Sequence, residues 1–179
     1  MSNTMHLTIN ELLAYTDEER KKWKDWLALQ GNGPLKIALA GDAFSSIGGL
    51  ILHIFWAELF YALWMRGEVL SENSPIVIEN KSLPPDDVEK VFAFGRLARR
   101  AMREFTDAAR EDDWERTHEV EARGIHIKGP ARKLIAHILI HEIRHWAQVA
   151  IVVRQHDLPP PGDHDLLFSE SFGKLVTRV

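Results

Sequence analysis

The segment HILIHEIRHWAQ, residues 137–148, repeats histidine every four positions, at His137, His141 and His145. On a helix, residues spaced in this way share one face, a turn apart. Neutral imidazole is a ligand for borderline divalent metals, and an i, i+4 pair can converge on one ion. Gln148 continues the ladder three positions further on. Ile138, Ile140, Val149 and Val152 surround it, so the imidazoles stand on or beside a buried face. An unpartnered polar group there costs free energy, and a divalent cation would satisfy two of them together. A third imidazole is available far upstream. His53 is flanked by Leu52, Ile54, Phe55 and Trp56, in the most apolar stretch of the chain. The ligand set read from these residues is His53, His141 and His145, with Gln148 and Glu58 as candidates to support it.

The same segment also spells HExxH, from His141 through Glu142 to His145. In zinc proteases this motif supplies two histidine ligands and a glutamate general base, and a third ligand comes from elsewhere. Glu142 would be that base, and Glu170 is where a downstream ligand would be sought. Three observations weigh against this reading. His53 is a better-placed third ligand, the chain leaves little room for a substrate-binding sheet, and so short a pattern arises by chance on a charged helix. Glu142 also points about 100° away from His141 around a helix axis. Together with Arg144 it reads instead as an ion-pairing residue.

Four long helical patterns would position these groups. The first lies within residues 8–30, opened by a capping box of Thr8 and Glu11, anchored by Leu12, Leu13, Trp23, Trp26 and Leu27, and closed by Gly31 to Pro34. A short connector with one helical turn follows. The second runs from about Ser45 to Arg66 and is apolar on most faces, as befits the helix nearest a bundle's centre. Residues 67–83 read as a connector. Pro84-Pro85-Asp86-Asp87 opens the third helix, whose inner face of Val88, Val91, Phe92, Leu97, Ala98, Met102 and Phe105 reaches about Arg110. Trp114 to Ile127, which includes Gly124, alternates polar and apolar residues and predicts a hairpin or extended loop. Gly129-Pro130 opens the fourth helix, which carries the histidine ladder to about Gln155 before the Pro159–Pro161 stop. The residues after Gly162 form a tail.

The chain has 179 residues, of which 45% are hydrophobic and 27% charged, which suits one domain spanning residues 1–179 with a proper core. Its net charge of -4 argues against a nucleic-acid partner. The absence of cysteine excludes disulfides and Cys-based zinc or thiol sites, so a transition metal must be held by His, Asp or Glu. Residues 47–65 are long and apolar, but Glu58 interrupts them, His53 lies near their middle and Arg66 follows directly. A buried bundle helix is therefore expected in place of a membrane span. The first residues lack the basic start and apolar run of a secretory signal, so a cytoplasmic protein is expected.

A histidine in the middle of the second helix, followed far downstream by H-x-x-x-H-x-x-Q on the fourth, resembles the DinB/YfiT-like superfamily of metal-dependent proteins. The matching residues are His53 in LILHIFWAELFYALW and His141, His145 and Gln148 in HEIRHWAQ. The family ending is closer to H-R-G-Q, and here Trp146-Ala147 stands in place of Arg-Gly. The resemblance covers nearly the whole chain. It implies an all-α, up-down-down-up four-helix bundle in which three histidines bind a divalent metal, commonly nickel or zinc, and which is frequently a homodimer. Characterised relatives include thiol-dependent transferases and isomerases. On this resemblance the expected function is metal-dependent hydrolysis or thiol-dependent transfer on a small molecule. The other readings are a metal-stabilised, non-enzymatic stress-response or binding module, and the zinc protease. His137 is expected as a supporting, substrate-facing or simply packed residue. His6, His118, His126, His156 and His164 are expected to be solvated.

Overall fold

Thr8 starts the first helix as its sequence implies. The Thr8 side chain accepts the Glu11 amide at 3.2 Å, and Glu11 Oε2 accepts the Thr8 amide at 2.8 Å. This reciprocal pairing satisfies amide groups that a helix start leaves open. In the computed structural model, residues 7–39, 44–122, 125–162, 164 and 166–173 are described. Helix α1 spans Ile9–Gln30, and a single 3-10 turn follows at Pro34–Lys36. Helix α2 spans Ile47–Met65, with Ser46 accepting the Gly49 amide as its cap. Helix α4 spans Val88–Ala108 behind an Asp87 cap that accepts the Lys90 amide, and α6 spans Ala131–Gln155.

Two connector readings are corrected. Residues 67–83 are not all loop, because Pro75–Ser82 form a short helix, α3, of which Val77 alone is buried. With so little of its surface buried, its sequence carries no strong period. Pro84 and Pro85 precede α4 and lie outside its first turn. The Pro85 carbonyl instead packs against α2, where a Cβ on Gly48 would come within 1.8 Å of it. Gly129 and Pro130 end a strand, and Pro130 also caps α6, which starts at Ala131 as the sequence implies. The irregular stretch before α6 is a five-residue helix, α5 (Glu111–Glu115), and an antiparallel hairpin of β1 (Thr117–Ala122) and β2 (Ile125–Pro130). Gly124, named as part of that hairpin, lies outside the described residues.

Helix α2 packs along α4 and α6, and α1 closes the ring by packing on the same two helices. The result is an all-α four-helix bundle with α2 as its most apolar helix. By length and composition α2 could cross a membrane, yet it lines the core of this bundle. Its fit to α4 is close, since a Cβ on Gly95 would lie 2.7 Å from the Phe55 ring.

One layer of the core is charged, and each long helix supplies one residue to it. Arg20 of α1 donates through Nε to Glu142 Oε1 of α6 at 2.6 Å and through Nη2 to Glu58 Oε2 of α2 at 2.6 Å. Arg99 of α4 donates to Glu142 Oε2 at 3.0 Å, and its Nε faces Glu58 Oε1 at 3.0 Å. Both carboxylate side chains are about 1% exposed. Burial opposes the Arg20 charge, but the carboxylates of Glu142 and Glu58 outweigh it and push its pKa up. Such a layer gains little net stability over apolar packing, but breaking it leaves a charge buried alone. It therefore penalises any helix register that does not bring all four groups together.

Candidate metal centre

The bundle brings His53 of α2 to His141 and His145 of α6. Their Nε2 atoms face one another, His53 to His141 at 3.2 Å and His145 to His141 at 2.9 Å. One ligand atom from each of the three lies within 4.8 Å of the others. The rings meet edge on, with interplanar angles of 68°, 80° and 88°. Phe44 stacks on His53 at 4.3 Å between centroids and fixes that ring from outside.

The hydrogen-bond chemistry of this cluster does not close on itself. His145 Nδ1 is 2.5 Å from Gln148 Oε1, an acceptor, so Nδ1 must carry the proton. In the neutral ring, Nε2 of His145 is then a lone pair aimed at His141 Nε2. If His141 protonates Nε2 to meet it, its Nδ1 becomes a lone pair, and that atom is buried without a hydrogen-bond partner. If it does not, two lone pairs oppose each other at 2.9 Å. A cation among the three nitrogens removes the opposition of lone pairs, with the His141 proton then on Nδ1. Metal–nitrogen bonds of about 2.05 Å place cis ligands about 2.9 Å apart at 90° and about 3.3 Å apart at the tetrahedral angle. The two separations fall on that range. Burial, followed by the neighbouring His145, His53 and His137, pulls the His141 pKa down to about 3. The imidazole is thereby kept neutral, which is the form a metal requires.

The remaining sequence candidates are placed as follows. Gln148 sits on His145 as a tautomer-fixing partner. His137 is exposed, with its ring 5.8 Å from His141 and 6.2 Å from Tyr61, outside the convergent group. Glu58, expected to support the histidines, is committed to Arg20 and Arg99 in the charged layer. Glu142 is there too, accepting from Arg20, Arg99 and the Trp146 indole, 3.1 Å away. Adjacent on one helix, His141 and Glu142 turn to different faces. A carboxylate engaged by two arginines and an indole is no free general base. Glu170 is exposed in the tail, outside the histidine group.

Two histidines expected in solvent are not there. His164 packs against α1, its Nδ1 2.6 Å from Glu19 Oε2 and its ring stacked on Trp23 at 5.2 Å. His118 is half-buried against Trp64 and Phe105, and burial and Arg116 lower its pKa. His126 and His156 are exposed, and His6 lies outside the described residues.

Sequence reasoning missed Phe44, Arg20 and Arg99. For the arginines a signal existed. A glutamate in the most apolar helix requires a buried cation, but which one cannot be read from the chain.

A helical bundle with three convergent imidazoles from two of its helices defines a class, that of bundles whose histidines could hold a metal ion. Residues 1–172 match the family model described as the DinB family, and the chain belongs to that family. Among solved structures it resembles a DinB-like protein from Bacillus cereus ATCC 10987 at 17% identity and a TM-score of 0.61. The match covers 89% of this chain and 99% of that one. No curated protein matches the chain.

Proposed function

We propose that the protein is a divalent-metal-dependent enzyme whose ion is held by Nε2 of His53, His141 and His145, with Gln148 fixing His145. The observation that carries this reading is the convergence of Nε2 of His53, His141 and His145 from two helices, at separations that suit bonds to one cation. An all-imidazole donor set suits nickel or zinc. When bound, the ion would supply Lewis acidity that activates a water or a thiol. The reaction we favour is hydrolysis or thiol-dependent transfer on a small molecule, in a cytoplasmic homodimer that takes neither nucleic acid nor membrane as partner. A closed site of four protein ligands would favour the metal-stabilised, non-enzymatic module. The group found among the described residues has three, and His53 borders a groove beside it. Both features support an enzyme.

Elemental analysis of protein incubated with nickel or zinc and then desalted tests the ligand set. His53→Ala, His141→Ala and His145→Ala should each lose most of the metal, and His118→Ala should keep it. Stoichiometric metal in all three cluster variants would sink the assignment. Metal-dependent cleavage of casein by the wild type would point back to the protease.

A further inference from the structure

We propose that the groove bordering His53 is the substrate site of this centre. Its ligand is a small molecule with an aromatic or aliphatic body and an anionic group. The inference rests on the metal-centre reading above and adds the class of substrate to it.

The groove is an open depression of about 360 Å³ between the first turns of α2 and the short helix α3. That is large enough for a small organic molecule. Gly49, Leu52, His53 and Trp56 share one face of α2 and form one wall. Phe44, already stacked on His53, extends this apolar lining beside the candidate ligand. The α3 side contributes Asn80 and Lys81, and among the described residues Lys81 is the one charged group lining the groove. Lys81 pairs with Glu72, but both side chains are more than half exposed. Such a pair is held weakly, so a ligand anion can replace Glu72 at the ammonium.

Gly49 gives the sharper observation. Glycine is disfavoured inside a helix, so each one calls for a reason. Gly48 and Gly95 have one, since a Cβ at either would collide with the Pro85 carbonyl or the Phe55 ring. Gly49 has none of that kind. A Cβ there would meet nothing nearer than the Ser46 hydroxyl at 3.7 Å, an ordinary contact. Among the described residues no neighbouring atom demands glycine at 49, and its missing side chain leaves the groove open one turn from His53.

The test is calorimetric titration of protein incubated with nickel or zinc, using 1-naphthylacetate and its neutral amide as probes. Metal content is measured in parallel. The wild type should bind the anion several-fold more tightly than the amide. Gly49→Leu should weaken both by about tenfold or more at unchanged metal content. Lys81→Glu, at an exposed position that does not threaten folding, should abolish the preference for the anion and leave the amide unaffected. Failure of the wild type to bind either probe at millimolar concentration would overturn the proposal, as would affinities that neither variant changes. If the wild type retains no metal but shows this pattern of probe binding, the groove stands and the metal centre falls.

Discussion

At the scale of the residue, His141 and Glu142 are neighbours in the chain with different partners. A rotation of about 100° per residue sends one ring to the imidazole cluster and the next carboxylate to the arginines. The same geometry that makes HExxH a protease motif on another scaffold here splits it between two layers of a bundle. Glu142→Gln tests the distinction. It removes a charge from a site where Arg20 and Arg99 converge, and the cost of an uncompensated buried charge is about 3–5 kcal/mol. Urea unfolding should show a loss of that order, while elemental analysis finds the metal retained. A variant as stable as the wild type would mean that the charged layer does not hold the bundle as described.

At the scale of the element, the segment after α6 docks onto α1. His164 Nδ1 meets Glu19, Lys22 meets the other oxygen of that carboxylate at 2.8 Å, Tyr15 donates to the His164 carbonyl and Phe172 packs on Tyr15. Glu19 is 2% exposed. Burial raises its pKa, but the hydrogen bonds and charges of His164 and Lys22 outweigh this, and the net shift is downward. A carboxyl group with a lowered folded pKa contributes stability that is present above its unfolded pKa of about 4.5 and fades as pH falls through the folded value. Glu19→Gln should therefore cost stability at pH 7 and cost less near pH 3. Urea midpoints of wild type and variant at the two pH values check this, and an equal difference at both would contradict the ion-paired clamp.

At the scale of the whole molecule, an ion at the three histidines would tie α2 to α6. A ligand that binds only the native state stabilises it by mass action. The ligand nitrogens must be unprotonated, and a free histidine has a pKa of about 6.5, so protons compete for them below that value. Chelation should lower the melting temperature clearly at pH 7.5 and little at pH 5, where the ion has already been displaced. Melting curves with and without chelator at both pH values measure it. The same chelator effect at both would argue against three imidazoles and for carboxylate ligands.

Local rules carried much of this protein in its sequence. The Thr8–Glu11 cap, the apolar period of α1 and α4, and the four-residue histidine spacing each depend on residues a turn or two apart. A linear chain displays such spacing directly. An imidazole in the most apolar stretch named His53 as the third ligand, and the family pattern linked it to the ladder across nearly the whole chain. Only the tertiary structure decided the rest. It paired Arg20 and Arg99 with Glu58 and Glu142, because a buried charge announces its need but not its partner. It folded residues 75–82 into α3, whose few buried contacts leave no period to read. It brought His164 back onto Glu19, because a tail histidine owes its environment to whatever surface the chain returns to.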